Sequence, residues 1–150
     1  MIIKETQLSP EIIGQLISLS GDWEKENSCY GYKKNTDADL KDKRIFIVLD
    51  NEEIIGYLFG YIETTDKDTS IYKIGTKTFE VDELYVKPSF RNRGIGKKLF
   101  KYMEETVKNE VEIITLGTAT KNYKSILHFY IEELDMKFWS AALFKKITNK

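Results

Sequence analysis

The spacing of hydrophobic and polar positions changes period several times along the chain, and each change predicts an element. Ile2 to Thr6 is a short apolar stretch that predicts a first strand. Ser9-Pro10-Glu11 predicts a helix start, with Ser as cap, Pro at the first helical position and Glu near the positive end. Ile12, Ile13, Leu16, Ile17 and Leu19 supply its buried stripe, and Gly21 is a place for it to end or bend. Arg44 to Asp50 and Ile54 to Glu63 are rich in Ile, Val and aromatics, and Asn51-Glu52-Glu53 separates them, so they predict a β-hairpin. Gly56 and Gly60 inside that hairpin predict a bulge or a close backbone contact.

The second half of the chain has the clearest rhythm. Phe79 to Lys87 predicts a strand, and Pro88 stops it because proline has no ladder donor. The loop Arg91-Asn92-Arg93-Gly94-Ile95-Gly96 follows, and then a helix on which Ile95, Leu99, Met103 and Val107 recur at helical spacing. Glu112 to Gly117 is a short apolar strand, buried and parallel to its predecessor, so the helix between them is the crossover of a βαβ unit. Tyr123 to Leu134 predicts a last helix with a stripe of Tyr123, Ile126, Leu127, Tyr130, Ile131 and Leu134. Lys137 to Ile147 predicts one or two closing strands. Two segments are less regular. Residues 22–43 hold Trp23, Tyr30 and Tyr32 among acids and lysines, with a second short helix opening at Thr36 to Leu40; residues 64–77 are a polar loop or strand extension. The first reads either as an exposed helix-loop-helix or as an aromatic substrate wall suited to an organic cation. No repeat or linker appears, so residues 1–150 are expected to form one domain.

Composition narrows the function classes. A hydrophobic content of 41% with 31% charged residues predicts a folded, soluble chain. A formal net charge of -1 removes the electrostatic case for nucleic acid. No run approaches the ~20 apolar residues of a membrane span. Glu5 interrupts any apolar leader, so a cytoplasmic location is expected, and the single Cys29 excludes an internal disulfide framework. Cys29 reads as a structural or surface thiol, because the one histidine, His128, lies far along the chain. No metal is expected.

The loop after Pro88 carries the most specific chemistry. A strand that enters a helix through two glycines leaves backbone N–H groups pointing one way, and Gly94 and Gly96 let a ligand approach them. Arg91, Arg93, Lys97 and Lys98 are expected to add full charges to the helix N-terminus, which makes an anion site suited to a pyrophosphate. The dinucleotide pattern G-x-G-x-x-G fails at Leu99; the Walker A loop fails at Arg91 and Lys98. The plainer alternative is a glycine-bearing helix start with solvated basic residues.

Leu84-Tyr85-Val86-Lys87-Pro88 followed by Arg91-x-x-Gly94-x-Gly96 resembles the acetyl-CoA loop of the GCN5-related N-acetyltransferase (GNAT) family. The order of elements is similar over nearly the whole chain. The resemblance implies an α/β (α+β) fold, with a mixed central sheet of about six to seven strands splayed at its centre and flanked by helices. It implies acetyl-CoA as cosubstrate, its pyrophosphate on the loop amides of Arg91, Asn92, Arg93, Gly94, Ile95, Gly96 and Lys97. The backbone of Leu84, Tyr85 and Val86 would pair with the pantetheine arm. Acetyl would pass directly to a primary amine through a tetrahedral intermediate. The implied partner is a small amine or a protein lysine or N-terminus, with a homodimer possible. A non-catalytic acyl-CoA-binding module is the alternative.

That chemistry needs a route for an ammonium proton and a donor near sulfur. For the first, Glu80, Asp82 and Glu83 stand on the central strand, with Glu80 and Asp82 on one face and Glu83 on the other unless a bulge resets the alternation. Asp82 and Glu83 resemble the acids of polyamine acetyltransferases, whereas Glu80 matches the base of histone-acetylating members; ordinary surface acids are the alternative. A small cationic amine is favoured by this acidity. For the second, Asn122, Ser125, Phe129 and Tyr130 stand in the family's Asn, small residue and aromatic-Tyr positions, which implies Tyr130 as general acid and Asn122 near the cofactor. The spacing from Asn122 to Tyr130 is one residue longer than is common, and Asp135-Met136-Lys137-Phe138 lacks the usual glycine.

Overall fold

The computed structural model describes residues 1–148. Strand β1 (Ile2–Thr6) leads to helix α1 (Pro10–Glu26), where the Ser9 hydroxyl accepts the Ile12 amide at 3.2 Å and Pro10 takes the first helical position. Gly21 does not end this helix. It runs on to Glu26, and Asn27 closes it with a left-handed backbone at φ 53°. Helix α2 (Asp37–Leu40) forms where the Thr36 amide donates to Asp39 Oδ2 at 2.7 Å. The hairpin is β2 (Arg44–Asp50) and β3 (Glu53–Thr64), followed by β4 (Lys77–Val86) and a 3-10 turn at Pro88–Phe90. Helix α3 (Ile95–Val107), strand β5 (Ile113–Thr115) and helix α4 (Tyr123–Leu127) complete the order. The last helix is not uniform: from His128 to Glu133 it widens into a π-helical turn, and the Leu134 amide donates to Phe129 O at 3.1 Å.

The sheet order is β1-β2-β3-β4-β5, antiparallel as far as β4 and parallel between β4 and β5. Both faces are covered, so β2 and β3 read as near-continuous apolar runs. On one face Phe46, Ile55, Leu58 and Phe79 pack against Leu99, Phe100, Met103 and Val107 of α3. On the other, Ile45, Ile47, Tyr57, Phe59 and Tyr85 pack against Leu16, Leu19 and Leu40. β4 and β5 touch only at Thr78–Ile113, Phe79–Ile114 and Glu80–Thr115. Beyond Glu80 the two strands part, and among the described residues no strand lies beside the β5-facing edge of β4 from Val81 to Val86.

The register of β3 and β4 shifts in the middle. Phe59 faces Glu83 and Gly60 faces Val81, so Asp82 is the extra residue of a bulge. Gly60 makes this possible. A Cβ there would overlap the Glu80 carbonyl oxygen and stand 2.7 Å from Phe79 Cε1. Gly60→Ala is therefore expected to cost about 2–3 kcal/mol by overpacking. The urea midpoint reads this directly, and an unchanged midpoint would show that the strand relaxes freely.

The sheet has five strands, fewer than the count expected from the sequence. Residues 137–148 form no strand, every one of them is exposed, and their backbones make no hydrogen bond to the sheet. Trp139 explains part of the departure, because its Nε1 donates to Ser70 Oγ at 2.7 Å and its ring meets Tyr72 edge-on, which leads the tail off β5. Tyr123, assigned to the buried stripe by its spacing, is exposed. No helix among the described residues is long and apolar enough to cross a membrane.

Candidate active site

The chain leaves β4 at Pro88 and reaches α3 through a loop built around two left-handed residues, Asn92 at φ 63° and Gly94 at φ 76°. The Arg91 amide is used inside the turn, donating to Pro88 O at 3.2 Å, and the Lys98 amide donates to Gly94 O at 3.1 Å. Between them, the amides of Asn92 through Lys97 donate to nothing among the described residues. Successive free N–H groups at the start of a helix make an anion cradle. No heavy atom lies within 4 Å of the position a Gly94 Cβ would take, so the space over the cradle is open. Arg93, Lys97 and Lys98 make no ion pair among the described residues.

Arg91 corrects the sequence-based expectation. Its guanidinium does not stand over the loop as a free charge. Nη1 and Nη2 donate to Glu26 Oε1 and Oε2 at 2.7 and 2.9 Å, and Nε donates to Val86 O at 2.8 Å. The Tyr85 hydroxyl donates to the same Glu26 carboxylate at 2.7 Å. Burial works to raise the Glu26 carboxyl, but the hydrogen bonds from Arg91 and Tyr85 outweigh it and hold the group below its ordinary range. The side chain thus staples the loop to the end of α1.

Next to the loop lies the gap where β4 and β5 part. One side is closed by a bridge between two loops: the Tyr30 amide donates to Ala119 O at 2.9 Å, and the Lys121 amide donates to Ser28 O at 2.8 Å. On the other side the Phe129 ring lies 3.5 Å from where a Gly96 Cβ would stand, beside Val86. Tyr130 packs edge-on against Phe100 and Phe129, and its hydroxyl bonds to no described residue. Burial, with the nearby Cys29 thiol adding to it, pushes the phenol up to about 12.

The three acids of β4 separate. Glu80 accepts the Thr115 hydroxyl, and Asp82 pairs with Lys43, whose ammonium lies 4.4 Å from the centre of the Tyr61 ring. The bulge at Asp82 resets the alternation, so Glu83 falls on the α1 side with Tyr57 and Tyr85. There its Oε1 accepts three donors: Tyr32 and Tyr57 hydroxyls, each at 2.8 Å, and Asn35 Nδ2 at 3.0 Å. Ser20 holds two of those donors in place, accepting the Asn35 amide at 2.8 Å and bonding the Tyr32 hydroxyl at 2.6 Å. Oε2 has no partner; because no buried side-chain oxygen among the described residues is left unpaired, it opens onto accessible space. Burial raises the Glu83 carboxyl above its ordinary value, the three hydrogen bonds oppose it, the Asp82 charge adds to the rise, and burial wins.

Residues 13–136 match the Acetyltransferase (GNAT) family. The chain belongs to that family. An uncharacterized N-acetyltransferase from the pepI 3' region of Lactobacillus delbrueckii subsp. lactis is 30% identical over 79 residues, 52% of this chain and 45% of that protein. The chain spans about half the length of that curated relative. The tetramutant of the BH1408 protein from Bacillus halodurans superposes with a TM-score of 0.76 at 18% identity, over 98% of this chain and 100% of that one. A predicted acetyltransferase from Clostridium acetobutylicum, solved with acetyl-CoA, superposes with a TM-score of 0.66 at 16% identity over 97% of both chains. The fold and the family are those of acetyl-CoA-dependent N-acetyltransferases.

In this chain Leu84, Tyr85 and Val86 lie on β4 beyond its pairing with β5, and the Tyr85 ring is buried toward α1. Asn122 is exposed at the start of α4 and its side chain bonds to no described residue. His128 is exposed. Ser20, Asn35 and Tyr57 had no place in the sequence-based site. Only Tyr57, a phenol within the apolar run Ile54–Phe59, carried a signal, since a buried phenol requires a partner.

Proposed function

We propose that the protein transfers acetyl from acetyl-CoA to the primary amine of a small cationic compound, with Glu83 as proton acceptor and Tyr130 as donor to the departing sulfur. One observation carries the reading: Glu83 is a carboxylate with one oxygen fixed by three donors and the other free. Fixing Oε1 orients the group, and leaving Oε2 open gives an incoming ammonium, or a water beside it, a place to deliver its proton. Burial tunes it toward the neutral range, where a base for an amine is useful.

The cradle fits the cosubstrate. Free amides from Asn92 to Lys97, open space over Gly94 and the unpaired cations Arg93 and Lys97 suit a pyrophosphate. When bound, acetyl-CoA supplies the acetyl group activated as a thioester. The edge of β4 from Leu84 to Val86, with the Val86 carbonyl already taken by Arg91 Nε, would hold its amide-bearing arm, and Tyr130 would hydrogen-bond the sulfur as it leaves. A phenol at about 12 holds its proton more tightly than a thiol of ordinary pKa ~8.5, so Tyr130 serves as a hydrogen-bond donor and not as a complete acid. The acidity of β4 favours the cationic class through Glu83, which keeps an open oxygen, whereas Asp82 is already taken by Lys43.

Gly94→Val puts two methyl groups over the cradle on a backbone of φ 76°. It is expected to remove at least one charge-assisted bond of about 1.5–3 kcal/mol, or roughly ten- to a hundredfold in CoA affinity. Calorimetry with CoA on the folded variant measures this, and undiminished affinity would place the pyrophosphate elsewhere. The activity itself is tested by CoA release, with a thiol reagent, over a panel of amines. Diamines and polyamines should exceed amines on uncharged chains. CoA binding without turnover on any amine would favour the non-catalytic module.

A further inference from the structure

One cation stands on the acidic face of β4. Asp42, with a left-handed backbone at φ 62°, turns the chain out of α2, and the Lys43 amide donates to Leu40 O at 3.2 Å. Leu40 and Ile45 are buried on either side, so the fold fixes where Lys43 starts. Its side chain reaches over Tyr61 of β3 to pair with Asp82, and the ammonium lies 4.4 Å from the centre of the Tyr61 ring. Tyr61 follows Tyr57 and Phe59 at alternate positions of β3, so it faces the same side as Glu83. Burial, and then the charges of Glu63, Glu80 and Asp82, push the Tyr61 phenol up. Glu80 is bonded by the Thr115 hydroxyl, and Glu83 by two phenols and an amide, all uncharged. Among the described residues, Lys43 is therefore the one cation paired with any of the three acids of β4.

We propose that Lys43 sets the amine specificity of the site: its ammonium occupies, on Asp82 and Tyr61, the place that the second ammonium of a short diamine would take. This role requires that Glu83 receive the reacting amine, as proposed above. Asp82 and Glu83 are neighbours on β4, with Cα atoms about 3.8 Å apart, and both lie just past the point where β4 and β5 part. A short diamine with one nitrogen at Glu83 therefore brings the other to Asp82. The place suits an alkylammonium, because a lysine side chain is one and is held there by a carboxylate and an aromatic face. Its hold is open to competition. The Lys43 and Asp82 side chains are 24% and 27% exposed, so the pair meets solvent and a soluble cation can reach it. Tethering gives Lys43 an effective concentration on the order of millimolar, and a diamine must outcompete that to take its place. The wild type is thereby held back from its full preference for a second positive charge.

Lys43→Met keeps the apolar stem and removes the charge. It should raise the ratio of kcat/KM for a short diamine to that for the monoamine of equal length about tenfold, the scale of an exposed ion pair with a cation–π contact. Lys43→Gln, equally uncharged, should raise it too. Lys43→Arg keeps the charge and should keep the wild-type ratio, and Lys43→Met/Asp82→Asn should lose the gain. A lysine that only supports the fold would instead lower the melting temperature and change both amines alike. Calorimetry of the diamine with CoA bound separates this proposal from the transfer reaction beneath it. Tighter diamine binding by Lys43→Met, without turnover of any amine, would uphold the role of Lys43 and remove the reaction. Turnover of amines with the same diamine ratio in Lys43→Met and wild type would overturn the role of Lys43 and leave the reaction standing.

Discussion

Glu83→Gln is expected to lower turnover about 10³-fold, within the range for a lost general base, while the fold and CoA affinity stay close to wild type. The amide oxygen still accepts Tyr32, Tyr57 and Asn35, so the network that holds Oε1 survives. What changes is the free position, which becomes an N–H donor and can no longer take a proton. In the wild type the rate should rise with pH as Glu83 ionises, at a midpoint above that of an ordinary glutamate. The variant should lack that limb. Stability supplies a second readout. A carboxyl raised in the folded state contributes most when protonated, and that contribution is lost as pH rises through the folded value. Glu83→Gln should therefore melt no lower than wild type at neutral pH, whereas a purely structural carboxylate would predict a loss. Asp82→Asn removes only the pairing with Lys43 and should leave turnover within a few-fold. A Glu83→Gln enzyme with the wild-type rate and the wild-type acid limb would eliminate Glu83 as the base.

The features that sequence reveals here are local ones. Ile95, Leu99, Met103 and Val107 are all buried, because a helical stripe depends only on spacing within one element. The cradle is local too: Pro88 ends the strand, and Gly94 and Gly96 stand within a few residues of it. The Glu83 network is not. Its members come from α1, the loop after it, β3 and β4, and they meet only because the bulge at Asp82 turns Glu83 toward α1. That bulge depends on Gly60 in another strand, so reading β4 alone leaves the face of Glu83 open. The same distance hides Glu26, far from Arg91 in sequence, whose carboxylate draws that guanidinium off the cradle. The apolar residues of Lys137 to Ile147 predict closing strands, yet composition does not say which edge they would join, and the segment forms no strand among the described residues.

Tyr130→Phe is expected to reduce turnover about 10²-fold with CoA affinity little changed. The register of the last helix decides whether this residue can do the work. From Asn122 to Tyr130 the chain carries one residue more than is common in the family, which on a continuous α-helix would rotate the phenol off its face by about a third of a turn. The widened π-helical turn at His128–Glu133 includes Tyr130, with Leu134 bonding five residues back to Phe129. Tyr130 packs on Phe100 of α3 and on Phe129, whose ring stands beside Gly96. Phe preserves that packing and removes a hydroxyl that bonds to no described residue, so the variant should melt close to wild type. A core role predicts the opposite pattern, with a lower melting temperature and near-normal turnover. With Tyr130 donating a hydrogen bond and keeping its proton, as proposed, the loss should be nearly constant from neutral pH up to the phenol's own titration at about 12. A loss that instead vanishes at moderately alkaline pH would mark full proton transfer, and full activity in the Phe variant would remove Tyr130 from the reaction.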